Sequence, residues 1–73
     1  MTDPYENLAN AIILMAVKDY RWALNKLEKR SNYEPAKMII KEVERFFRSS
    51  WYRELTSVDG NFLIEKIRSE VSE

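Results

Sequence analysis

The chain has 73 residues, with 12 Lys/Arg set against 12 Asp/Glu, no cysteine and no histidine. That length holds one domain and excludes two; the missing residue types exclude disulfides, remove the commonest zinc ligands and leave no side chain that titrates near neutral pH. A hydrophobic content of 45% excludes disorder, and one glycine with two prolines points to a few long helices joined by short connections, an all-α fold.

Asp3, Pro4 and Glu6 mark the start of the first helix. Asp3 suits the N-cap, Pro4 the first helical position, and Glu6 the N3 carboxylate of a capping box. No proline or glycine follows until Pro35, so the helix is expected over about residues 4–30. Ile13, Val17, Tyr20, Leu24 and Leu27 form one seam, with Leu8, Ile12, Met15 and Trp22 as a second row beside it. The run from Ala11 to Val17 is apolar on every side, and a helix apolar all round is covered all round. Only two other helices are available to cover it. A domain this small and without disulfides also needs a staple, so homo-oligomerisation through the first helix is expected. The same run is seven residues long, where a membrane span needs about 20, and Met1-Thr2-Asp3-Pro4 lacks the features of a signal peptide. A cytoplasmic location is expected, with no membrane partner.

Ser31-Asn32-Tyr33-Glu34 interrupts the pattern, and Pro35 opens a second helix, expected over about 35–54. Its core stripe is Ala36, Ile39, Ile40, Val43, Phe46 and Phe47, with Ser49-Ser50 as a loosened point. Thr56 and Asp59 read as N-cap and N3 of a third helix over about 57–71, which presents Leu63, Ile64, Ile67 and Val71. Gly60 in its first turn marks either a close backbone approach or a simple loop glycine. The expected architecture is a small three-helix bundle, or a helical hairpin with a third helix across it.

The residues offer no histidine or cysteine for catalysis, no glycine-rich phosphate loop and no isolated acid pair, so neither an enzyme, a metal nor a cofactor is expected. The charge is uneven. Residues 18–53 hold ten Lys/Arg and five Asp/Glu. Within them, residues 44–53 carry Arg45, Arg48 and Arg53 together with Phe46, Phe47, Trp51 and Tyr52. Arginines and aromatics recognise phosphates, stack on bases and dominate protein interfaces, but the aromatics can equally be core. Asp19-Tyr20-Arg21 is a second patch, in which Asp19 is expected to pair with Arg45 or Arg48 and set the packing register. The candidate contact surface is therefore Tyr20, Arg21, Arg45, Arg48, Trp51, Tyr52 and Arg53. A helix-turn-helix is disfavoured because the third helix is net acidic.

Asp19-Tyr20-Arg21, Glu44-Arg45-Phe46-Phe47-Arg48-Ser49 with Trp51, Leu55-Thr56, Asp59-Gly60 and Leu63-Ile64 resemble a family of short helical proteins encoded by phages and prophages of Gram-positive bacteria. The likeness spans roughly residues 18–71 and brings no known catalytic residue. Ser50 departs from the family, where that position is often acidic. The resemblance implies a binding protein that antagonises a host defence system, by occluding a host protein or by sequestering an anionic nucleotide signal. The alternative is a nucleic-acid-binding accessory or regulatory protein.

Overall fold

The structure is a computed structural model that describes residues 3–72. Four helices follow one another: α1 Pro4–Lys29, α2 Glu34–Phe47, α3 Ser50–Leu55 and α4 Gly60–Ser72. No strand occurs among the described residues.

α1 begins as its sequence dictates. The Asp3 carboxylate accepts the Tyr5 backbone N–H at 3.1 Å, and Pro4 fills a position whose N–H has no helical partner. With 26 residues, α1 runs about 39 Å at 1.5 Å per residue, nearly the 43 Å length of the whole molecule. The other three helices are laid along one side of it. α2 returns beside its carboxyl half, α3 turns over the end of α2, and α4 packs against both α1 and α2.

The core lies where these helices meet. Tyr20 and Leu24 from α1, Phe47 from α2, Tyr52 from α3, and Ile64 and Ile67 from α4 form one buried cluster. Its aromatic members meet edge-on: Tyr20 and Phe47 have centroids 6.1 Å apart at 87°, and Phe47 and Tyr52 are 5.5 Å apart at 78°. Such T-shaped pairs match the positive ring edge of one partner to the negative face of the other.

Three sequence expectations are corrected here. The second helix does not continue to residue 54 but ends at Phe47, and a separate short helix starts at Ser50. Ser49 causes the restart: its hydroxyl donates to the Phe46 carbonyl at 2.6 Å and accepts the Tyr52 N–H at 3.1 Å, acting as a helix N-cap. The architecture accordingly has four helices rather than three. The last helix begins at Gly60, so Thr56 is not its cap. The Thr56 hydroxyl instead accepts the Val58 N–H, while the Asp59 carboxylate accepts the Asn61 N–H at 3.0 Å and the Asp59 carbonyl accepts the Leu63 N–H.

Gly60 is the close approach. It is buried, and a Cβ placed there would overlap the Phe47 carbonyl oxygen and lie 2.8 Å from its carbonyl carbon. Only a hydrogen at this position lets the first turn of α4 pass over the end of α2.

Candidate functional site

The restart at Ser49 decides which aromatic turns inward. In an unbroken helix Trp51 would follow buried Phe47 by four residues and share its face. The new helix resets the phase, so Tyr52 enters the core at 1% exposure while Trp51 stands 54% exposed. Phe46 bridges the two, with its ring 5.3 Å from Trp51 and 5.6 Å from Tyr52.

The seven candidate contact residues therefore divide. Tyr20 and Tyr52 are core side chains and present no surface to a partner. Arg21, Arg45, Arg48, Trp51 and Arg53 are exposed. Arg21 lies away from the 44–53 segment in its pairing, holding Glu70 of α4 at 3.0 Å.

Asp19 makes no ion pair with Arg45 or Arg48; it is exposed, and Glu44 takes the role expected of it. Glu44 Oε2 accepts the Tyr20 hydroxyl at 2.5 Å and an Arg68 N–H at 2.6 Å, while Oε1 lies 3.6 Å from Arg48. One carboxylate thus ties α1, α2 and α4 together. Burial opposes its charge. The hydrogen bonds from Tyr20 and Arg68 and the charges of Arg68 and Arg48 overcome that and hold it below the usual carboxylate range. Burial and the bond to Glu44 push the Tyr20 phenol up to about 12. Arg68 lies over the Tyr20 ring, 5.8 Å from its centroid, and the bond to Glu44 raises its own pKa further. The pairing of Glu44 with Arg48, missed in favour of Asp19, has a local signal that could have found it, the i,i+4 spacing. Its pairing with Arg68 spans 24 residues and has no local signal.

Two surface clefts take up three of the exposed candidates, Arg48, Arg53 and Trp51; Arg21 and Arg45 line neither. The first, about 420 Å³, sits between the end of α2 and the start of α4, with Arg48 and Arg53 on its wall beside Ser57, Asp59 and Asn61. Arg48 Nε donates to the Asn61 side-chain carbonyl at 3.1 Å, which holds the guanidinium at the rim. The second, about 320 Å³, lies between α1 and α2–α3. Its floor is Ile12, Ala16, Val43 and Phe46, Trp51 forms one wall, the exposed Met15 stands at its rim, and Asp19 and Glu42 supply the carboxylates at its edge. Asn61, Ser57, Ile12, Met15 and Glu42 are additions to the sequence-predicted set; loop and interhelical placement brings them in. Among the described residues no group of three or more carboxylates is placed to hold a metal ion, and no helix is long and apolar enough to cross a membrane.

Compared with known protein families, with curated proteins and with solved structures, the chain matches none.

Proposed function

We propose that this chain is a non-catalytic binding protein that acts by occluding the surface of another protein. In the setting implied by the resemblance to short phage-encoded proteins, the target belongs to a host defence system and the encounter takes place in the host cytoplasm. One observation carries the reading: Trp51 is turned out of an otherwise inward-facing aromatic cluster and walls an apolar cleft edged by Asp19 and Glu42. A large exposed tryptophan beside a hydrophobic depression is the form of an interface anchor. Two carboxylates at the edge favour a partner that brings a basic rim to an apolar knob.

The test is capture of host proteins by the tagged chain, wild type against Trp51→Asp, with circular dichroism showing that both are folded. Trp51 is half exposed, so its replacement spares the core. A host protein retained by the wild type and lost with Trp51→Asp supports the reading. Retention that is the same with both variants overturns it.

Sequestration of an anionic nucleotide is a second reading, supported by Arg48 and Arg53 sharing one cleft. It makes a different demand: a nucleotide that binds the folded state must raise the melting temperature of the wild type by mass action. Arg48→Ala with Arg53→Ala must abolish that rise. The nucleic-acid reading has less support, because Arg21 and Arg68 are already paired with carboxylates of the chain itself.

A further inference from the structure

The side of α1 turned away from the core carries a pattern of its own. Leu8, Ala11, Met15, Lys18 and Trp22 follow one another at spacings of three, four, three and four residues, and all five are exposed. Leu8 is 60% accessible, Met15 68% and Trp22 44%. Single exposed apolar residues are ordinary on a protein surface. A row at a mean spacing of 3.5 residues is the seam by which one helix packs along another.

We propose that a second copy of this chain covers the seam, with its α1 running antiparallel to the first. The charges at the two ends of α1 select this occupant and this direction. Asp3 and Glu6 stand at the amino end, Lys26 and Lys29 in the last turn. Parallel pairing sets like charges side by side at both ends and aligns the helix dipoles. Antiparallel pairing turns Asp3 toward Lys26 and Lys29 of the other copy and opposes the dipoles, while Glu6, two residues before Leu8, stays on the other face of α1. The chain has no net charge, so two copies meet without general repulsion.

The arrangement is self-complementary, as a two-fold axis requires. With the axis at Met15, Leu8 of each copy lies level with Trp22 of the other. Met15 meets its own counterpart, and Lys18 comes within one residue of the level of Ala11, the smallest side chain in the row. The lysine stem then has room to carry its ammonium out to water. This contact does not depend on which target or ligand the protein binds, since it uses the far side of α1 from the Arg48–Arg53 cleft and shares only Met15 with the Trp51 cleft.

The absence of native cysteine makes cross-linking decisive. Leu8→Cys and Trp22→Cys proteins, mixed and oxidised, are expected to form the mixed disulfide. Leu8→Cys alone is expected to form none, because in the antiparallel pair the two copies of that position are about 21 Å apart. Sedimentation of the wild type is expected to give the mass of two chains at micromolar to millimolar concentration. Leu8→Lys, a change at an exposed position, is expected to return the mass of one chain with unchanged helicity. A folded wild type that sediments as one chain throughout that range overturns the proposal. So does self-cross-linking of Leu8→Cys in the absence of the mixed product, which is the signature of a parallel pair.

Discussion

Tyr20 and Tyr52 carry the same phenol into the same aromatic core, yet their hydroxyls have different surroundings. The Tyr20 hydroxyl donates to Glu44, which in turn accepts from Arg68. The Tyr52 hydroxyl is buried without a hydrogen-bond partner among the described residues, and burial together with nearby Asp59 raises its pKa. A hydrogen bond to a charged group contributes about 1.5–3 kcal/mol, whereas a buried unpaired hydroxyl carries a desolvation cost of about 1–3 kcal/mol. Tyr20→Phe should therefore destabilise the fold by about 1–3 kcal/mol. Tyr52→Phe, which removes an unpaired group and keeps the ring, should be neutral or stabilising. Urea unfolding of the two variants measures the contrast, and equal losses would contradict it. Neither fate was legible in the sequence. Tyr20 falls on the apolar seam of its helix, so its burial could be read from spacing, but its partner Glu44 is 24 residues away. Tyr52 was read as contact surface from the Arg/aromatic composition of residues 44–53; the restart at Ser49, which turns it into the core, has no counterpart in that composition.

Helix boundaries were legible where the signal is local. Asp3 and Pro4 fix the start of α1, and Pro35 falls in the first turn of α2 as its ring requires. The boundaries around residues 48–60 were not legible to the same degree. Ser49, Ser50, Thr56 and Asp59 are all good caps, and which of them is used depends on how Phe47, Tyr52 and Gly60 pack across the helices. Gly60 is the clearest instance. Composition marks it as the one glycine of the chain, but only the crossing of α4 over the end of α2 explains it. The obstacle is the Phe47 carbonyl, part of the backbone and unable to swing aside as a side-chain tip would. In an exposed helix, replacing glycine with alanine gains about 0.5–1 kcal/mol. Here the overlap reverses the sign, and Gly60→Ala should destabilise by about 1–3 kcal/mol, the cost of overpacking a filled site. A fall in the urea midpoint with an unchanged slope is the expected observation; a rise would mean that the two helices can part freely.

At the scale of the whole molecule, the all-α class followed from composition and period, while the surface had to be seen. Trp51 and the outward row of α1 are apolar groups left over once three helices have been laid along one side of a longer one; the spacing marks Leu8, Met15 and Trp22 as a row, but only the packing decides that it faces out. The distribution of titrating groups does follow directly from the sequence and has a global consequence. Without histidine or cysteine, no side chain changes charge between the carboxylates and the tyrosines, so folding stability should be nearly flat from about pH 5 to 9. The two limbs belong to the same cluster. Glu44 is held below its ordinary value in the folded state, so its contribution is present above the unfolded pKa of about 4.3 and is lost as the pH falls through the lower folded value. Tyr20 is pushed up to about 12 when folded, so its contribution is complete below the unfolded value of 10.0 and is lost as the pH rises toward 12. Tyr52 adds to the alkaline limb in the same direction. Glu44→Gln should leave a shallower acid limb, because the group that must be protonated is gone, while Tyr20→Phe should flatten part of the alkaline limb. Stability measured by urea unfolding across that pH range tests both. An acid limb unchanged in Glu44→Gln would place the acid-sensitive interaction elsewhere.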